Sequence, residues 1–494
     1  MNKQYDTGLM WFRRDLRVED NAALYHALTS CRQVFCVFVL DREILDTLPR
    51  ADRRVAFIRE SLVDLDRQLR QLAQQQGVAD AGLIVQHAWA SEALPALAQA
   101  LSADAVFANH DDEPQALVRD ARVGQALAGD RKAFHSFKDH VIFERTEVLT
   151  QSGKPYSVFT PYKNAWLQKV DDFYLRPYPV ARYGAALAAP PLAQRTTVPA
   201  LTDIGFKASH PVALKIPTGS SGATQMFDDF LERVDQYHVT RDFPSVRGPS
   251  YLGVHLRFGT VSIRQLAATA YRLQNQGSQG AAVWLSELIW RDFYAQILSN
   301  FPHAATRSFK PEYDAIPWEQ GPRAQALFQA WCEGQTGYPL VDAAMAQINQ
   351  TGYMHNRLRM VTASFLVKDL GIDWRWGERY FAENLNDFDL SANNGGWQWA
   401  SSSGCDTQPY FRIFNPTSQS EKFDADGKFI CNYLPQLARL SKAALHSPWL
   451  ASPIELAAAG VELGKNYPRP IVQHDEARTL TLQRYSCVKK SARQ

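Results

Sequence analysis

The sequence predicts an α/β domain built on a parallel, doubly wound sheet, joined by a long connector to an all-α domain. Three observations predict it. Residues 7 to about 135 alternate short β-branched and aromatic runs with amphipathic stretches, the pattern of strands linked by crossover helices. Residues from about 175 to 222 are broken by Pro177, Pro179, Pro190, Pro191, Pro199, Pro211 and Pro217 and end in Gly219-Ser220-Ser221-Gly222, which suits a connector draped over a surface. From Ala223 to about Ala438 the strand signal fades and helical periodicity takes over. The expected divisions are an α/β domain over 1–140, a connector over 141–222, a helical domain over 223–475 and a tail over 476–494.

Taken in order, Gly8-Leu9-Met10-Trp11-Phe12 reads as the first strand and Val34 to Leu40 as the second. Leu83-Ile84-Val85, Ala105-Val106-Phe107-Ala108 and Ala133 to Phe137 follow as the third, fourth and fifth. Phe57 to Leu72 is the most evident helix between them. Parallel sheets of this kind bind ligands beyond the carboxyl ends of their strands. No Gly-x-Gly-x-x-Gly and no Walker-type loop is present, so neither a dinucleotide nor a nucleoside triphosphate is signalled.

The chain has 494 residues, 46% of them apolar, enough for sizeable cores. No run approaches the ~18 apolar residues of a membrane span, and the N-terminus lacks the pattern of a signal peptide. The six cysteines form no Cys-x-x-Cys pair and no metal-ligand spacing, and read as reduced thiols of a cytosolic protein. A net charge of +2 is too small to imply a nucleic-acid partner by itself, so such a surface has to be a local basic patch. The unusual feature is aromatic: 12 Trp, 19 Tyr and 26 Phe. Composition alone makes these core residues, and their positions carry more than their number.

In the helical segment Trp284 to Arg291, Glu287 and Trp290 share a face. A carboxyl beside a flat ring suits a base-like ligand, which needs an edge contact and a stacking surface; alone, the pair reads better as an ordinary helix with one buried Trp and one solvated Glu. Gly352 to Met360 reads as another helix, with Asn356 and Met360 on one face among arginines. Asn386 to Trp399 is different: two carboxylates, several amides, two glycines and two tryptophans fall in one short segment. Asp387 and Asp389 find no third metal ligand at suitable spacing, and a polar clamp on a heteroaromatic cofactor fits better.

Together, Trp11-Phe12-Arg13-Arg14-Asp15-Leu16-Arg17, the Glu287–Trp290 segment, Met354 to Met360, Asn393-Asn394-Gly395-Gly396-Trp397-Gln398-Trp399 and Pro409 to Pro416 resemble the photolyase/cryptochrome family. The resemblance spans nearly the whole chain and is strongest to bacterial class I cyclobutane pyrimidine dimer photolyases. It implies a helical domain holding FAD and a reaction in which light drives one electron from reduced flavin to a dimer flipped out of DNA. It implies that Asn393 faces the flavin N5, and that Asp387, Asp389, Arg359, Tyr237, Arg291, Ser250 and Leu252 contact the cofactor. Glu287 is implied as the acid that bonds the dimer and also touches the cofactor. Trp290, Trp399, Asn356 and Met360 are implied as the dimer pocket, and Arg241, Arg357, Arg412 and Gln419 as DNA contacts. Trp397, Trp374 and Trp318 match a chain of indoles that photoreduces the flavin.

Two departures stand out. Where the family usually has Thr-Ser-x-Leu-Ser against the cofactor phosphates, this chain has Pro249-Ser250-Tyr251-Leu252-Gly253. In Asn109 to Pro114, Glu113 matches the acid that holds a methenyltetrahydrofolate antenna, but its neighbours differ, leaving a flavin, a deazaflavin or an empty site as alternatives. Three rivals are weighed. Plant-type cryptochromes carry an acid where this chain has Asn393, and many cryptochromes add a long tail. A (6-4) photolyase needs a histidine pair where Asn356 and Met360 stand, and a plain flavin redox enzyme needs a nicotinamide site. The resemblance further implies a bacterial cytoplasmic monomer, nucleoid-associated on DNA, with no metal, no membrane and no obligate protein partner.

Overall fold

The five predicted strands all form, as β1 (Tyr5–Phe12), β2 (Cys31–Asp41), β3 (Leu83–Ala88), β4 (Ala105–Asn109) and β5 (Ala133–Phe137). The computed structural model describes residues 3–207 and 216–491, so Pro211 lies outside the described residues. Every pairing is parallel, in the order β3-β2-β1-β4-β5. Gly8 of β1 stands opposite Val34 on one side and Ala105 on the other. Helices α1 (Ala22–Ser30), α2 (Arg53–Gln75), α3 (Ala90–Ala100) and α4 (Pro114–Gly129) make the crossovers.

Both faces of the sheet are buried. Leu9, Trp11, Phe35, Val37 and Ile84 enter one core, while Met10, Phe12, Val34, Cys36 and Phe38 enter the other. Burial on both faces is why these strands read as continuous apolar runs rather than alternating ones. Strand order reverses between β1 and β4, where open α/β sheets present a ligand crevice. Trp11 is 2% exposed, with the Arg13 guanidinium 4.5 Å and that of Arg119 5.2 Å from its ring. Arg13 also bonds Asp120 and the Asn109 carbonyl.

Contacts group the chain into two units whose bounds differ from the expected divisions at 140, 222 and 475. One comprises Met1–Val148, Lys163–Asp235 and Ser250–Ser299; the other comprises Leu149–Tyr162, Gln236–Pro249 and Asn300–Gln494. The first therefore includes helices α5 (Gly219–Leu231) and α6 (Gln279–Asn300). The expected end of the connector is in fact the first turn of α5. Gly219 adopts φ +70° there, and a Cβ on it would lie 2.5 Å from Asp64 of α2. Glycine serves close approach at this point rather than freedom. Deep in the same unit, Asp139 lies 2.7 Å from both Arg17 and Arg264, and Arg264 also meets Asp20 at 2.9 Å. Burial opposes ionisation of Asp139, yet the two guanidiniums hold its carboxyl well below the usual range.

The second unit is helical: α7 (Pro339–Thr351), α8 (Asn356–Ser364), a π-helical turn over Phe365–Asp369, α9 (Trp374–Asn384), α10 (Leu390–Ala400), α11 (Pro416–Phe423) and α12 (His474–Arg484). Its core includes Trp331, Val341, Leu358, Leu366, Phe381 and Trp397. Two expectations are corrected. Residues 352–355 are not helical: Gly352 ends α7 at φ +70°, and the His355 side chain caps α8 by accepting the Arg357 N–H. The expected tail is also largely helix, because Ala477, Thr481 and Tyr485 fall on one face and are buried.

Candidate functional site

In the first unit, α6 buries Leu288, Ile289, Asp292 and Phe293 and leaves Glu287, Trp290, Arg291 and Tyr294 half-exposed. Their spacing of three and four gathers an acid, two rings and a base on one stripe. The Trp290 and Tyr294 rings lie 5.3 Å apart. Tyr294 was not singled out from sequence, although its place one turn after Trp290 signals it. The Arg291 guanidinium donates to the His140 carbonyl, so part of its capacity is already committed within the unit. Asp292, also missed, accepts the N–H groups of Ile142 and Phe143 and the Trp166 indole through one oxygen. Burial pushes its carboxyl up to about 6 against those bonds.

Between β4 and α4 every charge is matched. Arg14 lies 3.1 Å from Asp111 and 3.0 Å from Glu113, and Arg257 meets Glu113 at 2.5 Å. His110 pairs with Glu144 at 2.8 Å and Arg145 with Asp112 at 2.8 Å. Glu113 therefore stands between two guanidiniums, partly exposed. In the segment that departs from the family pattern, Leu252 is buried and its N–H reaches Ser250 Oγ at 3.4 Å. Tyr251 takes φ +58°, a left-handed conformation that costs about 1 kcal/mol or more in a bulky residue.

In the second unit, the Arg359 guanidinium binds both Asp387 oxygens at 3.0 and 2.9 Å and the Met354 carbonyl at 2.9 Å. Asp389 caps α10, accepting from Ala392 N–H and Ser391 Oγ. Asn393, on the next turn, donates from Nδ2 to the Glu378 carbonyl at 3.0 Å and to its Oε1 at 3.1 Å. Burial raises the Glu378 carboxyl. These bonds aim the Asn393 amide, and its Oδ1 keeps its acceptor capacity among the described residues. So does one Arg359 amino group as a donor. A half-exposed acceptor and donor supported by buried packing fit a heteroaromatic cofactor, whose edges offer N–H and C=O groups. No group of three or more His, Cys, Asp or Glu able to hold a metal ion occurs among the described residues.

A second cluster adjoins α8. Arg357 bonds Asp242 at 2.9 Å, lies 4.5 Å from the Phe423 ring, and reaches Met360 Sδ at 3.8 Å. The Arg241 guanidinium sits 5.5 Å from the ring of Tyr237, which is itself buried. Asp242 was not anticipated; it tempers the positive charge that Arg241 and Arg357 present. Asn356 and Arg412 are exposed, and Gln419 on α11 is half-exposed. Trp399 is half-buried, its ring 6.5 Å from Phe414.

Of the three matched tryptophans, Trp397 and Trp374 are buried, and both indole N–H groups lack a partner among the described residues. Trp397 packs on α9 where Gly377 leaves room: a Cβ there would come within 2.0 Å of the ring. Gly377 is one turn from Trp374. Trp318 is half-exposed, 6.0 Å from the Tyr485 ring.

Comparison with known proteins gives a consistent result. Residues 8–182 match the family described as DNA photolyase, and residues 284–487 match the FAD binding domain of DNA photolyase. A deoxyribodipyrimidine photo-lyase of Vibrio cholerae is 41% identical over 489 residues, covering 97% of this chain and 99% of that one. The crystal structure of a bacterial class III photolyase from Agrobacterium tumefaciens superposes with a TM-score of 0.88 at 34% identity, covering 99% of both chains. A Synechocystis cryptochrome structure gives 0.86 at 26% identity, covering 98% of this chain and all of that one.

Proposed function

The chain belongs to the DNA photolyase family, and from that premise we propose that it repairs cyclobutane pyrimidine dimers in DNA, using light. The observation that carries this reading is the Asn393 amide, aimed by Glu378 beside the Arg359–Asp387 pair. Bound FAD would supply the electron that opens the dimer and takes it back afterwards. Asn393 would hold the cofactor through its carbonyl oxygen, and Arg359 and Asp387 would hold the polar edge of its ring system. Asp389 caps α10 through its Oδ1 and so helps to fix Asn393, one turn further on, in place. Glu287 gives the extruded base a hydrogen bond, and Trp290 gives it a stacking face. Arg241, Arg357 and Arg412 meet phosphates, which adds affinity without reading sequence.

For an antenna, a folate, a flavin and a deazaflavin are the candidate occupants. A folate held at the partly exposed Glu113 is the reading we favour. The rival function is a blue-light photoreceptor, for which the fold of the cryptochrome neighbour speaks; the amide at Asn393 favours repair. The test is to purify the protein, reduce it, and illuminate it with dimer-containing oligothymidylate while following base absorbance in the ultraviolet. Light-dependent recovery establishes repair. A flavin spectrum without recovery supports the photoreceptor, and a protein that binds no flavin overturns both.

A further inference from the structure

Between α10 and α11 the chain runs through a loop, Ser401 to Asn415, that carries two exposed side chains in succession: Phe411, 57% exposed, and Arg412. One side chain from another element holds the base of this loop. Lys368, in the π-helical turn, has no exposed surface. Its Nζ lies 3.0 Å from Ser402 Oγ, 3.4 Å from the Tyr410 carbonyl and 3.8 Å from the centre of the Tyr485 ring. An ammonium has three N–H donors and no acceptor, and these are three acceptors, one of them a ring face. Ser402 sits at φ +65°, a conformation that persists in a non-glycine residue only when its surroundings hold it.

The ionisable groups on neighbouring elements are committed elsewhere. Asp369 faces His474 at 2.6 Å, Asp373 holds Arg375 at 3.2 Å, and Asp387 holds Arg359. Arg484 meets Glu319 at 2.6 Å, while Asp475, Glu476 and Arg478 of α12 are exposed, as are Arg379 and Glu383 of α9. The Tyr485 phenol donates to the Ser401 carbonyl at 2.8 Å. Burial without a counter-charge pushes the Lys368 amine down to about 7.

We propose that Lys368 is a positioning residue for DNA binding: its ammonium pins Ser402 and Tyr410, the two ends of the segment leading into Phe411 and Arg412, so that both face the nucleic acid in one orientation. The proposal rests on the reading that this protein binds damaged DNA. The free amine has two donors and a lone pair, so above pH 7 one of the three contacts is lost and the loop loosens. For the fold the sign is opposite. The folded state binds fewer protons than the unfolded chain between pH 7 and the ordinary lysine value near 10, so the stability this group contributes rises with pH. A merely structural lysine would move affinity and stability together.

The experiment uses the full chain with FAD bound, in the dark, and measures the anisotropy of a labelled dimer-containing oligothymidylate from pH 6 to 9. Wild type, Lys368→Met and Ser402→Ala are compared, each with its melting temperature. At pH 6 Lys368→Met should bind about tenfold more weakly than wild type, and by pH 9 that gap should narrow. Ser402→Ala should fall between them, and Lys368→Met should melt no lower than wild type at pH 6. Equal binding at pH 6, parallel loss across the pH range, or weakened binding that tracks a lower melting temperature would overturn the proposal. Wild-type protein with no preference for dimer-containing DNA at any pH would instead overturn the function on which it rests.

Discussion

Replacing Asn393 by aspartate tests the centre of the site, because it turns a donor–acceptor contact into two opposed acceptors. The Asn393 Nδ2 lies 3.1 Å from Glu378 Oε1. Two carboxylates at that separation repel by about 5 kcal/mol at an effective dielectric near 20, and water reaching two half-buried groups lowers this to about 2 kcal/mol. Burial already raises the Glu378 carboxyl, so Asn393→Asp forces the pair to share a proton and titrate as a unit, its upper step raised further by the like charge. The side chain beside the cofactor then becomes an acid of variable charge in place of a fixed amide. Photoreduction in the presence of a thiol should stop short of full reduction, and repair should fall about tenfold with a pH dependence between 5 and 8. Adding Glu378→Gln restores a donor opposite the carboxylate and should recover much of the loss. Absorption spectra under illumination across that pH range read both effects. Complete photoreduction at the wild-type rate, independent of pH, would refute the reasoning.

Glu287→Ala should lower the repair yield while leaving FAD bound, measured as dimers split per photon absorbed; an unchanged quantum yield removes Glu287 from the chemistry. Trp318→Phe should block photoreduction of oxidised flavin and spare repair by enzyme reduced chemically, and full-rate photoreduction would break the relay assignment. Asp139→Asn leaves Arg17 and Arg264 without their shared charge and should cost about 3–5 kcal/mol in urea unfolding; a loss below about 1 kcal/mol contradicts it. Because the folded-state value of Asp139 is depressed, its contribution is present above the unfolded value near 4 and is lost as pH falls below it. The variant should lack that acid-side decline.

The strands were legible because each is a short apolar run bounded by breakers, and Ala133 to Phe137 was placed to the residue. The clustering of amides and acids around Asn393 was legible for a different reason: neither a core nor a solvated surface accounts for it. Glu378, Asp242, Asp292 and Lys368 left no such trace. Each stands next to an opposite charge in the sequence, at Arg379, Arg241, Arg291 and Asp369, where it reads as solvated surface, and only tertiary packing decides that Lys368 and Asp292 are buried. The interleaving of the two units was hidden as well. Helical periodicity marks α6 as a helix but does not say which core receives its apolar face.

The unpartnered indole N–H groups of Trp374 and Trp397 bear on how a hole is kept moving. An indole that has lost an electron becomes a strong acid, and it is trapped as soon as a base or water takes its proton. Among the described residues neither indole N–H has an acceptor, so in the proposed relay each inner ring would pass the vacancy on or return it. In the proposed relay Trp318, half-exposed, is the ring at which solvent would accept a proton and make the separation last. Heavy water should therefore leave the two inner transfers unchanged and slow only the final, charge-fixing step: the burial that protects the core also works as a one-way valve.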